Sequence, residues 1–177
     1  LDQTLFSALA EAKATRDTGK PAIEDPLGTQ LSYGKLITSA QVLGAKLAPL
    51  APEGAAVGVM LPNSAGVAVT FFALQTIGRV PAMLNFTAGP QNIDAACLAA
   101  NVDVVLTARA FIEQAHLEPV VAKLSERCRI VYLEDVRASI TLVDKVRGVL
   151  AGARAQVERS PNDPAAILFT SGSEGFA

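Results

Sequence analysis

The stretch Phe169-Thr170-Ser171-Gly172-Ser173-Glu174-Gly175 concentrates the residue types that handle phosphate. Its glycines let the backbone turn tightly and approach a ligand closely. Successive N–H groups in such a turn form an anion-binding concavity. The hydroxyls of Thr170, Ser171 and Ser173 add donors for phosphate oxygens. This is the chemistry of a loop that wraps a polyphosphate. It is not of the Walker type, because no Gly-Lys-Ser/Thr follows, and the glycine spacing does not fit a dinucleotide fingerprint. Glu174 places a carboxylate where phosphates would repel it, a position better suited to helping hold a magnesium ion. An ordinary Gly/Ser turn between two strands is the competing reading of the same residues.

Other candidates are weaker. His116 is the only histidine, and its polar helical surroundings favour a surface role over catalysis. Glu24-Asp25 and Glu134-Asp135 are adjacent carboxylates, and neighbours in a strand point to opposite faces, which argues against paired acid/base work. Cys97 and Cys128 stand far apart, in no metal-type spacing, and read as reduced core residues. Phe71-Phe72 reads as core packing. Asn85, just past a strand end, fits either a ligand-side role or a turn.

The elements that must position these residues alternate along the chain. Leu5, Leu9 and Ala12 predict a helix over 4–14. Residues 21–25 and 30–32 predict a hairpin turning at Gly28. Leu36, Ala40, Leu43, Leu47 and Leu50 mark an amphipathic helix from Tyr33, capped by Ser32. Strands are expected at 56–61, 80–84, 102–106, 129–133 and 165–170. Helices are expected at about 64–77 (capped by Asn63, closed by Gly78), from Pro90 to Asn101, over 108–127 with a break at Pro119, and through Ile140, Val143, Val146 and Leu150. Residues 151–164 read as a linker. Strands that are apolar throughout and separated by helices predict an α/β, three-layer, mainly parallel sheet with helices on both faces. Ligands of such sheets bind beyond the carboxyl ends of the strands. Pro62-Asn63, Asn85-Phe86-Thr87 and the 171–175 loop fall there.

Composition narrows the function classes. Half of the 177 residues are hydrophobic and 18% are charged, so the chain can bury a core and is not disordered. A net charge of -2 without a Lys/Arg run argues against a nucleic-acid partner. The longest apolar stretch, 66–77, is shorter than the roughly 18 residues a membrane span takes. No basic n-region opens the chain, so no secretory leader is expected, and the domain is expected to be cytoplasmic.

Residues 169–175 resemble the signature loop of the adenylate-forming enzymes, Tyr/Phe-Thr-Ser-Gly-Ser/Thr-Thr-Gly, which continues into Pro-Lys-Gly; Glu174 stands where Thr is usual. Residues 31–36 (Leu-Ser-Tyr-Gly-Lys-Leu), 57–63 (Val-Gly-Val-Met-Leu-Pro-Asn) and 74–82 (Leu-Gln-Thr-Ile-Gly-Arg-Val-Pro-Ala) resemble further family segments, in family order. Residues 78–90 together with Ser171-Gly172-Ser173-Glu174-Gly175 are similar to the acyl-carrier-protein synthetase part of the 2-acylglycerophosphoethanolamine acyltransferase subfamily, in which Glu174 is a regular feature.

The resemblance implies ATP and Mg2+ as cofactors and a fatty acid and acyl carrier protein as partners. Thr170, Ser171, Gly172, Ser173, Glu174 and Gly175 would bind the ATP phosphates, and no catalytic residue is assigned. It implies that 1–177 is the N-terminal portion of an adenylation domain, with the adenine segment, ribose-binding Asp, magnesium-binding Glu and C-terminal Lys lying beyond it. The chain by itself is then expected to be inactive and to dimerise through uncovered apolar surface. The subfamily would add lysophospholipid acylation and an inner-membrane association to the parent. A fatty acyl-CoA synthetase or other adenylating ligase, and a noncatalytic α/β module, are the alternatives.

Overall fold

The computed structural model describes residues 2–16 and 19–169. The elements are α1 (Leu5–Arg16), β1 (Ile23–Glu24), β2 (Gln30–Leu31), α2 (Tyr33–Leu47), β3 (Ala56–Val59), α3 (Ala65–Thr76), β4 (Val80–Met83), α4 (Pro90–Ala99), β5 (Val104–Thr107), α5 (Arg109–Gln114), α6 (Glu118–Ser125), β6 (Arg129–Tyr132), α7 (Leu133–Ala138), α8 (Leu142–Ala151) and β7 (Ile167–Leu168). A short 3-10 turn, Ala48–Leu50, follows α2.

Five strands form one sheet in the order β6-β5-β3-β4-β7, and every pairing in it is parallel. The period-two alternation of a strand sorts its side chains to two faces. Val57, Val59, Val104 and Leu106 pack under α2 and α3, with Ala40, Leu47, Ala73, Leu74 and Ile77. Val105, Ala82 and Leu84 face the opposite layer with Ile93, Cys97, Val120 and Leu124 from α4 and α6. Both faces are therefore covered, which is why these strands are apolar throughout. The α/β three-layer expectation holds. Outside α2 and α3, a further cluster seats α1 through Phe6 and Leu9 on Leu36 and Ile37.

Several local expectations hold for the reasons given. Ser32 caps α2 by accepting from the Lys35 N–H at 3.3 Å. Pro90 opens α4, and Asn101 ends the turn after it with φ 50. Gly78 follows α3 with φ 69, where a Cβ would also lie 2.8 Å from Val157 Cγ1.

Three expectations are corrected. Ser64, not Asn63, holds the N-cap position of α3, and its side chain makes no cap bond. The Ala65 N–H instead donates to Asp25 Oδ2 at 3.0 Å, so the cap comes from the β1–β2 turn. The helical stretch 108–127 breaks at His116 (φ 53), and Pro119 sits inside the first turn of α6, where its missing N–H costs nothing. Finally, 152–164 is not a free linker but a strap. Gln41 Nε2 donates to the Gly152 and Arg154 carbonyls, Gln156 Nε2 donates to the Gln41 carbonyl, and the Gln156 and Val157 N–H groups donate to Thr76 O.

Candidate functional site

The chain leaves β3 toward α3 on one face of the sheet and leaves the adjacent β4 toward α4 on the other. Such a divergence opens a crevice between the carboxyl ends of two neighbouring strands. Its walls are Leu61-Pro62-Asn63 after β3 and Leu84-Asn85-Phe86-Thr87 after β4. The strands end level, since Val59 pairs with Met83 and Leu106, and Met83 pairs with Leu168. Residue 169 thus leaves the sheet beside Leu84. Thr170, Ser171, Gly172, Ser173, Glu174 and Gly175 lie outside the described residues. Among the described residues, β7 ends at Leu168 against Met83 of β4, on the side of β4 away from β3.

The crevice walls are set by short-range contacts. Leu84 N–H donates to Val59 O at 3.0 Å, and Met60 N–H donates to Leu106 O at 2.9 Å. The Thr107 hydroxyl donates to Met60 O at 2.8 Å and fixes the end of β5 against the residue after β3. Asn85 Oδ1 accepts from the Thr87 N–H at 3.1 Å and from the Thr87 hydroxyl at 2.8 Å. Its carboxamide oxygen therefore closes its own turn, the second of the two roles expected for it. Phe86 packs edge-on against Phe111 at 5.0 Å between centroids and pins this loop to α5.

The remaining titratable candidates are engaged in structure. Asp25 Oδ1 accepts from the Leu27 and Thr29 N–H groups at 3.0 and 2.8 Å, while Oδ2 serves Ala65. These bonds, the Ala65 one foremost, hold its carboxyl below the usual range. Glu134 accepts from the Arg109 N–H at 2.7 Å, and the Arg109 guanidinium, 4.2 Å above the Tyr132 ring, grips both oxygens of Asp135 at 2.8 and 2.6 Å. His116 is exposed in the turn between α5 and α6. Cys97 and Cys128 are buried in one core cluster, and burial pushes the Cys97 thiol up to about 12, far from the thiolate a nucleophile needs. Among the described residues no group of three His, Cys, Asp or Glu stands together to hold a metal ion.

The residues that local sequence reading missed cluster at the other end of the sheet. Arg79 is buried, and its guanidinium donates to the carbonyls of Ala48, Ala51 and Ile77. It thereby closes the carboxyl ends of the 3-10 turn and α3 together. Gln75 Nε2 donates to Ala165 O and ties the strap in front of β7. A concavity of about 700 Å3 opens here, lined by the chain before α1, by Gln75 and Arg79, and by the strap. It lies at the amino ends of β4 and β7, away from the crevice. Its arginines Arg154 and Arg159 are paired with Glu158 and Asp163, and its Gln75 and Arg79 are bonded to main-chain carbonyls.

Comparison with known proteins agrees with this geometry. The structure superimposes on VinN in complex with 3-methylaspartate with a TM-score of 0.74 and 22% identity, covering 97% of this chain and 45% of VinN. Apo MatB from Rhodopseudomonas palustris gives a TM-score of 0.71 at 22% identity, over 99% of this chain and 34% of MatB. The N-terminal subdomain of NpsA from Klebsiella oxytoca gives 0.69 at 18% identity, over 97% of this chain and 39% of that one. In sequence, 4-coumarate--CoA ligase 2 of Oryza sativa subsp. japonica is 26% identical over 134 residues, 70% of this chain and 24% of the rice protein. The chain thus spans about a quarter of that relative's length and under half of each of these structures. The family model described as AMP-binding enzyme matches residues 10–177, nearly the whole sequence, and the fold is that of the N-terminal subdomain of adenylate-forming ligases: the chain belongs to the AMP-binding enzyme family.

Proposed function

We propose that this chain supplies the phosphate-binding side of an adenylate-forming acyl ligase. One observation supports the reading: β7, the last described strand, pairs with β4 and ends level with it, so the motif that follows in sequence starts one strand away from the β3/β4 switch point. A nucleotide lying across that crevice has its polyphosphate within reach of the segment's N–H and hydroxyl donors. In the reaction a carboxylate oxygen attacks the α-phosphorus of ATP. The bond to the bridging oxygen breaks, and pyrophosphate leaves with the electron pair. A thiolate then attacks the acyl carbonyl carbon, and AMP leaves. This chain's contribution is to orient and neutralise the β- and γ-phosphates, which lowers the barrier by positioning and charge stabilisation. Magnesium supplies further charge neutralisation when bound. The described residues offer no cluster for it, and Glu174 is the group of this chain suited to approach it.

The finer reading is a fatty acid as substrate and an acyl-carrier-protein thiol as acceptor, with lysophospholipid acylation in the parent protein and a cytoplasmic, inner-membrane-associated setting. It rests on residues 78–90 and on Glu174. The rice relative's name favours a second acceptor, coenzyme A. The test is fatty-acid-dependent ATP–pyrophosphate exchange in the longest natural chain carrying this sequence, followed by acyl transfer offered to holo carrier protein and to coenzyme A. Ser171→Ala with Ser173→Ala should lower exchange by about 100-fold, roughly 2.7 kcal/mol of barrier, without changing thermal stability. Undiminished exchange would refute the assignment, and transfer to coenzyme A alone would replace the acceptor. The isolated 177-residue chain is expected to show no exchange. It is also expected to dimerise through the β7 edge, where Leu168 is 74% exposed, and a monomer in sedimentation at high concentration would count against that.

A further inference from the structure

Helix α8 turns its apolar side away from the protein. At 100° per residue, Val149, Leu142, Val146, Leu150 and Val143 fall in one arc of about 120°. Their exposure runs from 51% for Val146 to 80% for Leu150. The helix packs on α2 through the opposite side, where Gly148 is buried and a Cβ on it would lie 2.3 Å from Val42 Cγ2. Asp144 is also on that inward side, 2.8 Å from Lys46 and closing a capping box with Thr141. The amphipathic pattern is therefore inverted for a helix that only covers a core.

Charge is arranged around the arc. Lys145 lies on one flank and Arg147 on the other, and neither makes an ion pair among the described residues. On the Lys145 side the ridge borders a groove of about 560 Å3, with Val42, Leu43, Val69, Leu133 and Ile140 along it and Arg137 at its margin. An aliphatic ridge flanked by cations, beside an apolar slot with a cation at its rim, matches an amphiphile whose anionic head and hydrocarbon chain are adjacent. The arc holds only Leu and Val, without the aromatic and Arg anchors typical of protein hot spots. Two copies meeting ridge to ridge would also oppose Lys145 and Arg147 to like charges.

We propose that the α8 face docks on an anionic phospholipid bilayer. Leu142, Val146 and Leu150 enter the boundary between headgroups and acyl chains, and Lys145, Arg147 and Arg137 meet the phosphates. This surface is independent of the nucleotide-binding reading.

The test is co-sedimentation of the protein with vesicles of phosphatidylcholine containing about 30% phosphatidylglycerol, against phosphatidylcholine alone. Binding is expected to the anionic vesicles and to weaken in high salt. It should fall at least about tenfold in Val146→Asp/Leu150→Asp and several-fold in Lys145→Glu/Arg147→Glu. These residues are exposed, so an unchanged melting temperature verifies that each variant folds. Equal binding to neutral and anionic vesicles, or full binding by Val146→Asp/Leu150→Asp, overturns the proposal. So does a lipid-free dimer that Val146→Asp abolishes, which would make a second copy the occupant.

Discussion

At the amino end of the sheet, the helix ends and the strap are tied by long side chains reaching distant carbonyls: Arg79 to Ala48, Ala51 and Ile77, Gln41 to Gly152 and Arg154, Gln75 to Ala165. At the carboxyl end, the exposed Asn85 turn is closed by its neighbour Thr87, and one buried hydroxyl, that of Thr107, reaches Met60 O. The first end buries polar groups, and each must then find a partner. The second leaves the Asn85–Thr87 turn exposed. The opposite ends of the same strands are thus held differently, by several long side chains at one end and mostly by backbone pairing and local turns at the other.

That division can be broken by substitution. Arg79→Ala removes the guanidinium that serves one buried and two part-buried carbonyls and should cost about 2–4 kcal/mol in a denaturant titration. A loss near zero would show the amino end is not held by this residue. Gly44→Ala forces a Cβ to within 2.4 Å of Thr76 Oγ1 and 2.8 Å of the Ala73 carbonyl, where α2 and α3 touch. Overpacking should outweigh the gain in helix propensity and leave a net loss of about 1–2 kcal/mol, read from the same titration.

Asp25 sharpens the comparison through pH. Its lowered folded pKa means that its stabilisation is complete above the unfolded value of about 3.9, and is lost as pH falls from there through the folded value. Asp25→Asn should therefore lose less stability than the parent between about pH 4 and pH 2. Parallel acid limbs would sink the assignment. The smallest effect belongs to the carboxyl end: Asn85→Ala should shift stability by less than about 1 kcal/mol, because its turn is exposed and local.

What could be read from sequence follows the range of each interaction. Helix α2 announces itself by its apolar period and the Ser32 cap, α4 by Pro90 at its start, and strands β3, β4 and β6 by short apolar runs. β5 starts at Val104 rather than Val102 because Val102 N–H still bonds Cys97 O in the turn after α4. The cap on α3 was illegible because its acceptor, Asp25, lies 40 residues upstream. The strap read as a linker because its partners are main-chain carbonyls and glutamines, which leave no local pattern. For the candidate site, the hydroxyl and glycine pattern of 169–175 is visible in sequence, whereas the β3/β4 switch point follows only from the strand order. The outward ridge of α8 reads in sequence as an ordinary amphipathic helix, since periodicity gives a face but not its direction.

The strap also sets an order of events in time. Gln41 meets Gln156 across 115 residues, and Gln75 meets Ala165 across 90. During synthesis β3 and β4 can pair, and α2 and α3 can cover one face, long before those partners exist. Until residue 167 emerges, β4 presents an unpaired edge to the cell. Closing loops of that length is slow relative to the local helices and the β3–β4 crossover. Of the strands that the finished sheet pairs on both sides, β4 is the one whose second partner is made last.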